Sequence, residues 1–196
     1  MTREMLFGLA LGYLLGSIPF GLVLTRLAGK GDIRDIGSGN IGATNVLRTG
    51  SRLLAVLTLI LDCIKATLAI LLAKLLFGDD SAPFAAAGAL IGHLYPVWLK
   101  FRGGKGAATL LGILIPLLPI AAAVYAVIWL LLLLTLRISS VAGMSAAVSA
   151  PIAAFVLHST YVPMLLGFAV LVLWKHRENI LRLRRGTEPR IGRAKA

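Results

Sequence analysis

The stretch AATLLGILIPLLPIAAAVYAVIWLLLLLTL, residues 107–136, runs for thirty positions without a charged side chain. A run of 18 or more apolar residues is typical of a membrane-spanning helix. At about 1.5 Å per residue, one straight helix of this length would measure about 45 Å, which exceeds the ~30 Å apolar core of a bilayer. Pro116-Leu117-Leu118-Pro119 in its middle predicts a turn that would divide the block into two helices.

The composition of the chain also indicates an integral membrane protein. Hydrophobic residues make up 58% of the 196 positions and charged residues only 14%, whereas soluble domains carry about 25% charged residues. We expect a single domain, residues 1–196, with an all-α transmembrane fold. The net charge of +12 does not indicate nucleic acid, because the cations lie just outside the apolar runs, where anionic lipid attracts them.

Apolar runs elsewhere predict the other helices. The N-terminal run continues to Leu27 without a suitable small-residue cleavage site, so it indicates an uncleaved transmembrane helix, and Pro19 inside it predicts a kink. His158-Ser159-Thr160 interrupts the last run and predicts a turn. The expected segments are residues 5–27, 53–77, 83–99, the two halves of 107–136, and residues 139–157 and 161–174.

The distribution of Lys and Arg predicts the orientation of these helices, because cytoplasmic loops collect positive charge. Residues 28–52 carry four cations, residues 100–106 carry three, and the tail, residues 175–196, carries eight against two Glu. The turn between the second and third segments has only Asp79 and Asp80. An even number of spans must then separate the loop at 100–106 from the tail. This favours the split block and a bundle of about seven helices, with the N-terminus outside and a basic cytoplasmic tail.

The first basic loop has the composition of an anion site. Its sequence Gly37-Ser38-Gly39-Asn40-Ile41-Gly42-Ala43-Thr44-Asn45 matches the dinucleotide pattern G-x-G-x-x-G in form, but no strand precedes it and no βαβ unit surrounds it. Closely spaced glycines still let backbone N–H groups approach an anion, and the guanidinium of Arg48 is a planar fork suited to phosphate. The alternative is an ordinary flexible loop between helices.

A second glycine-rich segment, Phe101-Arg102-Gly103-Gly104-Lys105-Gly106, follows the third helix. It is not a P-loop, because Gly follows the Lys and the required upstream Gly is missing. The flanking glycines leave Lys105 unobstructed as a point charge for phosphate. His93, in Gly92-His93-Leu94-Tyr95-Pro96, is either a hydrogen-bonded structural residue or part of the site.

The third polar segment, Lys175-His176-Arg177-Glu178-Asn179, follows the last apolar helix directly. On a helix His176 and Asn179 share a face, whereas Glu178 points elsewhere. His176 and Asn179 are therefore candidate site residues. The arginines that follow are explained by a basic amphipathic tail lying on lipid.

Two further observations narrow the chemistry. Asp62 and Lys65 lie three positions apart inside an apolar helix, where ionisable groups are expensive, and we expect a structural pair. The chain has no Gly-x-Ser-x-Gly elbow, no His-x-x-x-x-Asp pair, and no paired carboxylates or clustered His and Cys in its three polar segments. Neither a nucleophile nor a metal site is evident, which suits a substrate that is already activated.

At this point the motifs resemble a known family, the acyl-phosphate-dependent glycerol-3-phosphate acyltransferases (PlsY) of bacterial membranes. The similarity extends over essentially the whole chain, from Gly16-Ser17-Ile18-Pro19-Phe20-Gly21 through the polar segments to His176-Arg177-Glu178-Asn179-Ile180. One departure is Asp62-Cys63-Ile64-Lys65-Ala66, where the family tends to have Gly after the Lys.

The resemblance implies transfer of a fatty acyl group from acyl phosphate to the 1-hydroxyl of sn-glycerol 3-phosphate, giving lysophosphatidate and inorganic phosphate. This is the first step of membrane phospholipid synthesis. It implies a bacterial inner-membrane location with a cytoplasmic site, no cofactor, no metal, and coupling to a soluble acyl-phosphate-forming enzyme (PlsX-like). The catalytic residues implied are Ser38, Arg48, Lys105, His176 and Asn179. The substrate-binding residues implied are Gly37, Gly39, Asn40, Gly42, Thr44, Asn45, His93, Gly103, Gly104, Gly106 and Glu178.

A transporter of organic phosphates is the alternative, because the same basic loops would bind such a substrate without converting it. Seven spans without a visible inverted repeat count against it.

Overall fold

The computed structural model describes residues 1–192, and the regular elements in that range are all helical. The predicted all-α fold is therefore confirmed. The last four residues of the basic tail, 193–196, lie outside the described range. The α-helices are α1 (Arg3–Gly16), α2 (Phe20–Leu27), α3 (Ala43–Val46), α4 (Arg52–Phe77), α5 (Ala82–Leu94), α6 (Ala107–Leu117), α7 (Pro119–Leu136), α8 (Ser139–Val156), α9 (Val162–Lys175) and α10 (Arg177–Arg184).

Within residues 1–192, helix length and composition separate five candidate membrane spans from two shorter apolar helices. The five spans, with their flanking turns, are Arg3–Leu27, Arg52–Phe77, Asp79–Leu99, Pro119–Leu136 and Ser139–Val156. The shorter helices α6 and α9 have 11 and 14 residues. At about 1.5 Å per residue, α6 is about 16 Å long, so it does not cross a ~30 Å core by itself. The number of complete crossings and their orientation stay predictions.

Both predicted turns within the long apolar blocks are confirmed. The 107–136 block divides at Leu118, whose backbone angles, φ −153° and ψ 74°, are not helical. The reason is Pro119, since a proline disfavours the α conformation of the residue before it and is well placed as the first residue of a new helix. The last block divides between Val156 and Val162, around the predicted His158-Ser159-Thr160 turn.

The first apolar run contradicts the prediction of one kinked helix. It is interrupted over three residues, Ser17 to Pro19, so that α1 and α2 are separate helices. The carbonyl groups released by the break find side-chain donors. The indole Nε1 of Trp98 donates to the Ser17 carbonyl at 2.9 Å, and Lys65 Nζ donates to the Ile18 carbonyl at 2.8 Å. Such compensation is what permits a helix to break inside a membrane.

Residues 1–192 form two compact units, one of residues 1–117 and one that begins at Leu118. In the first unit, α1 and α5 meet backbone to backbone. A Cβ on Gly12 would collide with the backbone of Ala85, and one on Gly16 with the backbone of Ala89. From the other side, a Cβ on Gly92 would meet the Tyr13 carbonyl and the Ser17 nitrogen. Small residues of this kind allow close helix approach in membranes, and here they hold the end of α5, which carries His93.

Helix α4 packs against α1, α5 and α6 within the same unit. The contact with α6 is again a close one, because a Cβ on Gly112 would collide with the backbone of Cys63. The hydroxyl of Thr67 donates to the Gly112 carbonyl at 2.8 Å. Helix α4 therefore contacts α1, α5 and α6 and carries Asp62 and Lys65 between them.

In the second unit, α8 packs against both α7 and α9. Its buried positions are almost all small, which suits close packing of helices. They are Ser140, Ala142, Gly143, Ala146, Ala147, Ser149, Ala150, Pro151 and Ala154. Helix α10 follows α9 after the single residue His176. The third polar segment is thus a junction between two helices.

The charge asymmetry of the first unit can be tested by cysteine labelling in a Cys63→Ala background. We expect Leu117→Cys, at the end of α6, to react with an impermeant maleimide added outside the cell. Asp80→Cys should behave in the same way, because its acidic turn is predicted outside. Arg102→Cys should react only after permeabilisation. External labelling of Arg102→Cys, or labelling of Asp80→Cys only after permeabilisation, would contradict the predicted orientation.

Candidate active site

Asn45 organises the first basic loop from its interior. The residue is 1% exposed, and its Nδ2 donates to the carbonyls of Ile33 and Ile36, both at 2.9 Å. Its Oδ1 accepts from the backbone N–H of Ser38 at 3.1 Å, from the Ser38 hydroxyl at 3.3 Å and from the Arg48 guanidinium at 3.1 Å. Ser38 and Arg48 are exposed. A hydroxyl and a planar guanidinium are thus held side by side at the surface, an arrangement suited to a phosphate.

The glycines of this loop serve its tight path. Gly37 has a φ of +58°, and a Cβ there would lie 2.5 Å from an Arg48 guanidinium nitrogen and 2.6 Å from Asn45 Oδ1. Gly42 precedes α3, and its carbonyl accepts from the backbone N–H groups of Asn45 and Val46. Replacing Gly37 would therefore displace Arg48 and Asn45.

Asp32 fixes the start of the loop. Its carboxylate accepts from the guanidinium groups of Arg34 and of Arg26, the latter at 2.6 Å, and from the Arg34 backbone N–H at 2.9 Å. The hydrogen bond from the Arg34 side chain is the main reason why the pKa of Asp32 lies well below its usual range. The side chain of Arg34 is therefore bound to Asp32. The guanidinium that Asn45 holds is that of Arg48.

The second glycine-rich segment is tied to the end of α5. The Gly103 N–H donates to the Leu94 carbonyl at 3.2 Å and the Gly104 N–H to the His93 carbonyl at 3.0 Å. A Cβ on Gly103 would collide with the His93 carbonyl, and one on Gly104 with the His93 ring. These two amides are engaged within the protein, so glycine is needed here for space. Lys105 follows directly and is partly buried.

Lys65, Asp62 and His93 form a buried polar cluster beneath that segment. They are 3%, 3% and 5% exposed. Lys65 Nζ lies 2.6 Å from Asp62 Oδ1 and 2.9 Å from His93 Nδ1. The predicted structural pair of Asp62 and Lys65 is confirmed, and His93 is its third member.

In the second unit, His176 lies at the junction of α9 and α10 and is 4% exposed. Its Nδ1 is 2.8 Å from the Val172 carbonyl. Because a carbonyl only accepts, Nδ1 carries the proton. The His176 carbonyl in turn accepts from the Ile180 N–H at 2.9 Å. The ring is therefore held in one orientation by the last turn of α9.

Glu188, in the tail, gathers three donors around one carboxylate. Its Oε1 accepts from the Ser140 hydroxyl and from Asn179 Nδ2, each at 2.6 Å, and its Oε2 from Arg182 Nε at 2.7 Å. Burial by itself would raise the pKa of Glu188, but these three hydrogen bonds outweigh it and hold the pKa below its usual value. The tail segment thus ties α10 to the start of α8 and orients the Asn179 amide.

Comparison with known proteins agrees with this architecture. The model of the glycerol-3-phosphate acyltransferase family matches residues 6–186. A glycerol-3-phosphate acyltransferase of Mesorhizobium japonicum is 53% identical over 193 residues, which cover 98% of each chain. One from Erythrobacter litoralis is 54% identical and covers 93% of this chain and 92% of its own. The chain belongs to the glycerol-3-phosphate acyltransferase family.

A crystal structure of PlsY (YgiH), described as an integral membrane glycerol 3-phosphate acyltransferase in its glycerol 3-phosphate form, is 40% identical to this acyltransferase. It has a TM-score of 0.89 and covers 96% of each chain. The lysophosphatidic acid form of PlsY matches with a TM-score of 0.87 and 39% identity. The present chain is therefore an acyltransferase and an integral membrane protein.

The residues that the sequence singled out fall into three groups in the structure of this acyltransferase. Ser38, Asn45 and Arg48 form the first, with Gly37 against them. His93, Gly103 and Gly104 form the second and lead to Lys105. The third contains the buried residues His176 and Asn179. Asn40 and Thr44 are half-buried beside the first group, and Glu178 is exposed on α10, apart from the buried Asn179. The roles of all these residues stay predictions.

Sequence reasoning missed Ser140 and Glu188. Neither stands in a motif: Ser140 is one of two serines that begin an apolar helix, and Glu188 lies among turn residues of a basic tail. A weak signal for Glu188 was present in the sequence. The tail has two Glu, and Glu178 does not share the helix face of Asn179, so Glu188 was the other acidic candidate for a partner of Asn179. The contact of His93 with Lys65 was also missed, because the two residues are 28 positions apart.

Glu188→Gln tests the carboxylate cluster. Charge-assisted hydrogen bonds are lost and the new amide faces the Arg182 donor, so we expect the free energy of unfolding in micelles to fall by about 1–3 kcal/mol at pH 7. Because the folded-state pKa of Glu188 is lowered, its stabilisation is present above the ordinary carboxyl pKa of about 4.3 and disappears as pH falls through the lower value. The difference in unfolding free energy between Glu188→Gln and wild type should therefore shrink as the pH falls. The matched control is Glu178→Gln, an exposed carboxylate on α10. Equal destabilisation by both changes would contradict the cluster's role.

Proposed function

We propose that this acyltransferase moves a fatty acyl group from acyl phosphate to the 1-hydroxyl of sn-glycerol 3-phosphate. The hydroxyl oxygen forms a bond to the acyl carbon, the bond from that carbon to the phosphate oxygen breaks, and inorganic phosphate leaves. Lysophosphatidate is the product, at the first step of membrane phospholipid synthesis. The observation that carries the proposal is the presentation of exposed Ser38 and Arg48 by the buried Asn45. The two PlsY structures, one a glycerol 3-phosphate form and the other a lysophosphatidic acid form, support the proposal from a relative of this chain.

The donor follows from the chemistry of the available side chains. An acyl phosphate is a mixed anhydride with a good leaving group, so orientation and charge stabilisation supply much of the acceleration. Arg48 and Lys105 offset the phosphate charges, and Ser38, His176 and Asn179 hold and orient the phosphate groups. The acceptor hydroxyl gives its proton to a substrate phosphate, which acts in place of a dedicated protein base.

The proposal assigns substrate binding to further residues. Gly37, Gly39, Gly42 and Gly106 shape the loops, and Asn40 and Thr44 offer short polar side chains. Asn45, Gly103 and Gly104 act by holding the binding groups in place, since their own polar groups are engaged within the protein. His93 lies beside Gly104. Glu178 is included as a substrate-binding residue only because it belongs to the motif at residues 176–180.

The setting is a bacterial inner membrane with the basic loops on the cytoplasmic side, where both phosphorylated substrates are available. A soluble acyl-phosphate-forming enzyme (PlsX-like) would supply the donor, because an acyl phosphate is both reactive and poorly soluble. The transporter alternative is set aside, since the chain belongs to a family of acyltransferases.

The donor can be tested with purified protein in micelles. Given glycerol 3-phosphate, we expect palmitoyl phosphate to support lysophosphatidate formation with release of one phosphate per product. Palmitoyl-CoA should be a poor donor, since no His-x-x-x-x-Asp base is present to activate the hydroxyl against a thioester. Comparable turnover with palmitoyl phosphate and palmitoyl-CoA would contradict this mechanism.

Lys105→Ala tests the second basic loop. A charge-assisted contact is worth roughly 1.5–3 kcal/mol, so the catalytic efficiency should fall at least about tenfold, with little change in thermal unfolding. Lys105→Arg should restore little, because the wider guanidinium has little room between Gly104 and Gly106. Arg102→Ala, which removes an exposed cation from the same loop, is the matched control and should stay close to wild type. Near-normal activity of a folded Lys105→Ala protein would show that the loop only connects two helices.

A further inference from the structure

Lys65 sits in a cage of acceptors inside the first unit. Three atoms lie within 2.9 Å of its Nζ, namely Asp62 Oδ1 at 2.6 Å, the Ile18 carbonyl oxygen at 2.8 Å and His93 Nδ1 at 2.9 Å. An ammonium group has three N–H donors and no lone pair. Its three protons match the three acceptors, and the ionised carboxylate of Asp62 supplies the paired charge that a buried ammonium needs.

This cage determines the protonation of the His93 ring. Because Lys65 donates to Nδ1, that nitrogen must offer its lone pair. Asp62 Oδ1 is 3.8 Å from Nδ1, too far for a hydrogen bond that would hold a proton there. A cationic imidazolium is excluded by the ammonium at 2.9 Å. In a neutral imidazole the proton then resides on Nε2.

The Nε2 edge of the ring faces the segment that leads to Lys105. A Cβ at Gly104 would collide with Nε2 and the adjacent Cε1, so the absence of a side chain there leaves room for the imidazole. The backbone of the same residues is locked, because the Gly104 N–H donates to the His93 carbonyl at 3.0 Å. The ring and the residue before Lys105 are therefore held in one fixed relation.

We propose that Lys65 and Asp62 are positioning residues that fix the tautomer of His93, so that its Nε2–H is a hydrogen-bond donor to a substrate phosphate oxygen beside Lys105. The cluster thus converts a buried ion pair into a neutral, oriented donor at the loop. This inference rests on the proposed function for the identity of the ligand. Its tautomer component depends on the geometry of the first unit alone.

The tautomer is measured by long-range ¹H–¹⁵N NMR on protein labelled at histidine in micelles. The chain has three His, and the His93 signals are those that vanish in His93→Gln. We expect wild-type His93 to be neutral with the proton on Nε2. In Lys65→Met the donor to Nδ1 is gone, so the proton should redistribute toward Nδ1. Lys74→Met, a change of a half-exposed lysine on the same helix, should leave the spectrum unchanged. A wild-type proton on Nδ1, or an unchanged tautomer in a folded Lys65→Met protein, would overturn the proposal.

Two substitutions of His93 itself test its role as a donor. The amide N–H of Gln reaches about as far as Nε2, whereas that of Asn reaches only about as far as Nδ1. We expect His93→Gln to keep kcat/KM for glycerol 3-phosphate within about tenfold of wild type, and His93→Asn to lose at least about tenfold more. Equal losses in the two variants, at equal thermal stability, would show that the cluster only supports the fold. A protein inactive with acyl phosphate but carrying the predicted tautomer would overturn the proposed function and the substrate contact, and would leave the positioning of His93 standing.

Discussion

The ammonium of Lys65 is the interaction on which the first unit depends, because it joins α4, α5 and the break between α1 and α2 at one point. The interruption between α1 and α2 exposes carbonyl groups in an apolar setting, where an unsatisfied carbonyl is costly. Lys65 satisfies the Ile18 carbonyl, pairs with Asp62 on its own helix and contacts His93 on α5. A charge that is expensive to bury is thereby used to close a gap in the backbone. The loop that carries Lys105 is built directly on this arrangement.

The two units use the same principle to prepare their polar groups. In the first, the amide of Asn45 is buried and makes five hydrogen bonds to four residues, so that Ser38 and Arg48 stay exposed in fixed positions. In the second, the carboxylate of Glu188 collects Ser140, Asn179 and Arg182. In both cases a buried side chain supports groups proposed to meet substrate, namely Ser38 and Arg48 in the first unit and Asn179 in the second. Such support restricts side-chain freedom before binding, which lowers the entropic cost of ordering the site.

Much of this fold was predictable because a bilayer imposes strong rules on sequence. Uncharged runs and a proline pair were enough to place a break within Pro116–Pro119, and three-residue spacing was enough to pair Asp62 with Lys65. The outcome differed where long-range packing decides. The interruption at Ser17–Pro19 depends on donors from Lys65 and Trp98, which are 47 and 81 residues away in sequence. Similarly, the steric need for Gly104 arises from the His93 ring, and the partner of Asn179 lies in a tail without any motif. Sequence spacing shows which residues share one face of a helix, but it does not show which residues from distant segments come into contact.

The backbone contact between α1 and α5 has a consequence for how the protein is made. Gly12 and Gly16 must meet Ala85 and Ala89, yet about 70 residues separate these partners along the chain. At a synthesis rate of about 5–20 residues per second, roughly 4–14 seconds pass between the emergence of the two surfaces from the ribosome. During this interval α1 lacks its packing against α5, and the Ser17 carbonyl lacks the hydrogen bond from Trp98. The packing of α1 and the hydrogen bond to the Ser17 carbonyl are therefore complete only after α5 and the turn that follows it have been synthesised, however early the first helix is inserted.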